Sequence, residues 1–172
     1  MADASMDAVL LLGALYYPRA LPERQKAVRE AWRILKPDGI VAAPGISRIT
    51  FLRDMFRSPD PFSAAFFGPA FADALSEAQT DPDGNGFIAQ FLETGTLDPP
   101  PAPPISYAHL TTIAEFRQLL MARFEELVLT GTESFTSPRQ DEWKIEIRRR
   151  HRKVVGSHFS DDSDHFLFIG RR

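Results

Sequence analysis

At 172 residues and 44% apolar content, the chain is long enough for one domain with a buried core and too apolar to stay disordered. A formal net charge of −3 gives no overall pull toward nucleic acid or an anionic membrane, so neither is expected as a partner. The absence of cysteine excludes disulfides, thiolate catalysis and Cys-ligated metal.

Residues 7–12 are nearly all apolar and end at Gly13, the pattern of a strand covered on both faces inside a parallel sheet. The apolar run 8–17 follows Asp3 and Asp7 with no basic leader and is too short to span a bilayer, so a cytoplasmic protein without export is expected. From Pro22 onward, Val28, Ala31, Trp32 and Leu35 recur at helical spacing, while Glu23, Arg24, Lys26, Arg29, Glu30 and Arg33 fill the other face. Pro37, Asp38 and Gly39 stop that helix. A second apolar run at 40–43 follows at once, which makes a strand, helix, strand unit of a length suited to a parallel crossover.

Residues 49–104 lack strand alternation and are rich in Phe, Ala, Pro and Gly. They predict an inserted helical cap, with short helices near 51–56, 70–79 and 87–92, inside a single domain over 1–172. The five prolines of residues 98–104 form an extended linker closing the insertion. Thr112 and Glu115 then stand at capping-box spacing, ahead of a buried stripe of Ile113, Phe116, Leu120 and Phe124. A strand is expected over 127–132. Ser137, Pro138 and Gln140 resemble a helix start, whereas Trp143, Ile145 and Ile147 alternate as a strand would; the helix is preferred. Phe166, Leu167, Phe168 and Ile169 mark a last buried strand over 165–170.

Several clusters have a plain solvent reading. Asp81, Asp83, Asn85 and Gly86 fit the first, third, fifth and sixth positions of a calcium loop, but Leu92 occupies the twelfth and Pro82 the second, so a polar turn is preferred and no metal is expected. Arg148, Arg149, Arg150, His151, Arg152 and Lys153 could touch phosphates, yet no interleaved aromatics accompany them. Asp161, Asp162, Asp164 and His165 read as a solvated loop.

The stretch DASMDAVLLLGALYY followed by REAWRILKPDGIVAAPGISR resembles the fourth strand, next helix and fifth strand of class I S-adenosylmethionine-dependent methyltransferases. YAHLTTIAEFRQLLMARFEELVLTGTES is similar to that family's next helix and sixth strand, and HFLFIGRR to its last strand. The resemblance implies an α/β fold: a partial Rossmann-like sheet made of a parallel β-α-β unit plus a C-terminal strand pair, its last strand antiparallel, with the inserted cap. It also implies S-adenosylmethionine as cofactor and a small-molecule methyl acceptor in the complete form. Leu12, Gly13 and Ala14 match the place bordering the cofactor, because ligands of open α/β sheets sit beyond the carboxyl ends of strands. A tight turn would use the same residues.

Tyr16 and Tyr17 match the substrate-facing position, where they offer stacking and hydroxyl contacts or simply half-buried packing. Ser47 and Arg48 follow the second strand at the same end, and Arg48 could clamp an acidic group or join an ion pair. Tyr107 and His109 stand where the cap could fold them over the site, His109 as a base or a structural residue. The family's glycine-rich turn after its first strand, and the acidic residue after its second, have no counterpart near the start of this sequence. The chain is thus expected to begin midway through the fold and to be inactive in isolation. Its naked strand edge would serve self-association, a separately encoded N-terminal half, or a non-catalytic interaction role.

Overall fold

The computed structural model describes residues 1–48, 50, 68–79, 86–98, 108–131 and 165–172. Among these residues eight elements follow in order: β1 (Met6–Leu10), α1 (Leu21–Ile34), β2 (Leu35–Ile46), α2 (Pro69–Gln79), α3 (Phe87–Thr94), α4 (Ile113–Met121), β3 (Glu125–Gly131) and β4 (His165–Arg171). The strands form one sheet in the order β1-β2-β4-β3. β1 and β2 are parallel, and β4 is antiparallel to both β2 and β3. The expected partial sheet with an antiparallel last strand is therefore present. The sequence placed helices near 70–79 and 87–92, and α2 and α3 occupy those stretches. The expected helix near 51–56, the region 137–147, and the clusters at 148–153 and 161–164 lie outside the described residues.

α1 buries Val28 and Ala31, and Leu35 behind them is fully buried, so its apolar stripe is the one the spacing predicts. The helix stops at Ile34, ahead of Pro37, and the chain is already extended at Leu35. Met6 pairs with Leu35 and Ala8 with Ile40, which leaves Lys36, Pro37, Asp38 and Gly39 in a bulge of β2 rather than in a separate turn. Asp38 takes a left-handed φ of 63° there, a conformation Asp tolerates better than most side chains. α4 begins as its sequence predicts: Thr112 Oγ1 accepts from Glu115 N at 3.2 Å, and Glu115 Oε2 accepts from Thr112 N at 2.9 Å.

One face of the sheet carries the core. Val41 and Ala43 of β2 and Phe166 and Phe168 of β4 pack there against Val28 and Ala31 of α1 and Phe116 and Leu120 of α4. The other face carries a cross-strand row of Leu10, Ala42, Ile169 and Val128, and its two outer members are exposed, Leu10 at 66%. Residues 7–12 have the composition of a strand covered on both faces, but β1 is the naked edge that the sequence also led one to expect. β1 lies at the sheet edge with Asp7, Ala8 and Leu10 exposed, because among the described residues only β2 pairs with it.

Candidate functional site

At the carboxyl end of β1 the chain makes a compact turn over residues 13–17. Gly13 adopts φ +83°, and its carbonyl accepts from both Tyr16 N at 3.2 Å and Tyr17 N at 3.0 Å. Only glycine fits this corner: a Cβ at 13 would lie 2.6 Å from the Tyr17 ring. Tyr17 in turn meets Tyr16 edge-to-face at 4.9 Å and stays 52% exposed. Leu12 is 69% exposed, Gly13 buried and Ala14 half-buried. Of the three residues matched to a cofactor border, Leu12 is thus open to solvent, while Tyr17 closes the backbone at Gly13.

A polar hub lies beneath this turn. The Tyr16 carbonyl accepts from Ala108 N at 2.9 Å and His109 N at 3.0 Å. The same segment bridges Ser47 through Thr111, with Thr111 N donating to the Ile46 carbonyl and Arg48 N donating to the Thr111 carbonyl, both at 3.0 Å. On its other side, Leu110 N donates to the Gly95 carbonyl and Leu97 N to the Ala108 carbonyl. Four chain segments therefore meet at residues 108–111: the turn after β1, the end of β2, the exit of α3 and the start of α4.

Charged side chains occupy this junction. Arg48, 8% exposed, donates from Nη1 to the Leu92 carbonyl at 2.7 Å and from Nη2 to both oxygens of Glu115 at 2.9 and 2.7 Å. Arg24 is also buried, and its Nη1 donates to the Pro18 and Arg19 carbonyls at 2.9 and 2.7 Å, which fastens the chain behind the turn to α1. Arg19 itself pairs with Asp98 at 2.5 Å. His109 is 6% exposed, with Nδ1 3.4 Å from Thr96 Oγ1.

Burial, with Arg24 and Arg48 nearby, pushes the His109 imidazole down to about 4 against the opposing pull of Glu115. It is neutral at pH 7. Burial alone would raise the Glu115 carboxyl, but the Thr112 backbone N–H and the Arg48 guanidinium outweigh it and hold Glu115 below the usual carboxylate range. Desolvation lowers Arg24, opposed by Glu115 and Glu23.

The structure thus brings Tyr16, Arg48 and His109 into one junction, with Tyr17 on its outer side; Tyr107 lies outside the described residues. Sequence reasoning put Arg24 on the solvent face of α1 and missed its burial. The signal was there, since Arg24 stands four residues before Val28 and lines up with the buried stripe. Glu115 was read as a cap alone, and its second partner is 67 residues away in sequence.

Residues 1–43, which span β1, α1 and most of β2, match the family model of the methyltransferase domain. The chain also superposes on a SAM-dependent methyltransferase from Thermotoga maritima with a TM-score of 0.50 at 14% identity, covering 99% of this chain and 58% of that one. The chain carries part of the class I methyltransferase fold. A SAM-dependent methyltransferase from Methanosarcina mazei gives a TM-score of 0.49 at 16% identity, over 100% of this chain and 61% of its own. The chain therefore spans about three-fifths of the solved methyltransferases it matches. No curated protein matches it. Among the described residues, no helix is long and apolar enough to cross a membrane.

Proposed function

We propose that this chain forms the acceptor-side part of an S-adenosylmethionine-dependent methyltransferase that modifies a small molecule. The observation carrying this reading is the buried-glycine turn at residues 13–17, which sits at the carboxyl end of β1 within the stretch that matches the methyltransferase family. When bound, S-adenosylmethionine supplies a methyl group activated on a sulfonium. What the protein adds is alignment of the acceptor with that methyl, which needs neither a nucleophile nor a metal.

The described residues fit one wall of such a site. Leu12 offers an exposed apolar side chain toward the cofactor, and Tyr17 offers an exposed ring with a hydroxyl to an acceptor. Gly13 and Ala14 shape this wall, and Tyr16 anchors it through its carbonyl. Neutral His109 is in the protonation state of a base, although its burial places it behind the wall. One wall gives weak binding. Calorimetry of this chain with S-adenosylmethionine is expected to give a millimolar dissociation constant or weaker, with amide shifts confined to residues 12–17 in a parallel NMR titration. Micromolar binding by the chain alone would overturn the one-wall description, and shifts centred elsewhere would overturn the assignment of the site.

A second reading, association through the β1 edge, has its own observation. Leu10, 66% exposed, ends a strand with one side unpaired among the described residues, and Leu12, 69% exposed, follows it in the turn. A strand edge is complementary to its own copy, so a second copy of this chain is the proposed occupant. Sedimentation velocity over a range of concentrations is expected to show dimers that Leu10→Lys abolishes; a stable monomer throughout counts against this role.

A further inference from the structure

Arg48 makes three side-chain hydrogen bonds in the junction, and none of them goes to residues 12–17. Its guanidinium joins the last turn of α3, through the Leu92 carbonyl, to the first turn of α4, through Glu115. Its backbone N–H continues the bridge from β2 to Thr111. Glu115 is engaged three times: as the reciprocal cap of Thr112, as the acceptor of Arg48 Nη2 through both oxygens, and as the acceptor of Thr111 Oγ1 at 3.4 Å. Gly95 closes the arrangement. With φ +69° it ends α3, and any Cβ there would collide with the Leu110 carbonyl and approach Nη2 of Arg48 to 2.6 Å. Residues 108–111 are thereby clamped between α3 and β2, and from that fixed position Ala108 and His109 hold the Tyr16 carbonyl.

We infer that Arg48 is a positioning residue: its ion pair with Glu115 fixes residues 108–111, and these set the shape of the 13–17 turn. A guanidinium so placed, with Nη1 and Nη2 engaged and Nε alone buried without a partner among the described residues, is a brace rather than a two-pronged clamp for an incoming acid. Lysine cannot replace the fork, because one ammonium does not reach a backbone carbonyl and both carboxylate oxygens in the same plane. The functional weight of the inference rests on the methyl-transfer reading above, but its geometric content does not.

NMR-detected hydrogen exchange on the full chain separates the two. In Arg48→Ala, the amides of Ala108, His109, Leu110 and Thr111 should exchange roughly tenfold to a hundredfold faster, and the Tyr16 and Tyr17 amide resonances should shift. The central-sheet amides of Val41 and Ile169 should keep their wild-type protection. Arg48→Lys, which keeps the charge and disturbs packing less, should fall between the two and serves if the alanine variant does not fold. Uniform acceleration that includes Val41 and Ile169, or unchanged Tyr16 and Tyr17 resonances, would overturn the inference. Adding S-adenosylmethionine to wild type in the same experiment tests the methyl-transfer reading alone: no shift at residues 12–17 removes that reading and leaves the brace standing.

Discussion

Acidification from pH 7 to pH 5 is expected to destabilise the fold by about 2 kcal/mol through His109 alone. The imidazole is buried against Arg24 and Arg48, with Glu115 as the opposing charge, and its folded value lies near 4 against an ordinary 6.5. Between those two values the unfolded chain binds a proton that the folded chain refuses. The contribution is therefore fully present above about pH 6.5 and is lost as the pH falls through 4, when it has cost about 3 kcal/mol at roughly 1.4 kcal/mol per pH unit. Glu115, held below its usual range, adds a loss in the same direction at lower pH. Urea unfolding midpoints at pH 7 and pH 5 give the measurement. His109→Gln, which cannot titrate, should remove most of the difference. A variant that keeps the full pH dependence would place its origin elsewhere in the chain.

The elements that the sequence made legible share one property: their signals are local. The stripe of α1, the Thr112 and Glu115 cap and the all-apolar run of β4 each depend on residues within a few positions of one another, and each appears where the spacing put it. β1 shows where local reading ends. Its apolar run is that of an interior strand, and neighbours, which no run of residues specifies, decide whether such a strand is covered.

The junction was only half legible for the same reason. Gly13, Tyr16, Arg48 and His109 drew notice because they follow strands or precede a helix. What joins them is a set of backbone contacts among segments 14–17, 46–48, 92–97 and 108–111. Arg24 is the instructive miss, since its charge outweighed its place in the stripe. A buried arginine is tolerable when carbonyls take its protons, and here those of Pro18 and Arg19 do so.

Phe166→Ala should cost about 3–5 kcal/mol, enough to unfold a marginal domain. Phe166 is fully buried at the middle of the sheet, edge-to-face with Phe116 at 4.9 Å, and its ring lies over Gly45 of the adjacent strand. The glycine and the phenylalanine are shape partners: a Cβ at 45 would overlap the ring, so β2 carries no side chain where β4 carries its largest. Gly45→Ala alone should accordingly destabilise, because the ring must leave a packed rotamer. In the Phe166→Ala background the same change meets a cavity instead, so its cost should largely vanish or reverse. A double-mutant cycle by urea unfolding reads this as a coupling of about 1–3 kcal/mol. Additive costs would mean that the sheet relaxes freely around residue 45 and that the ring-over-glycine contact does not set the β2-β4 spacing.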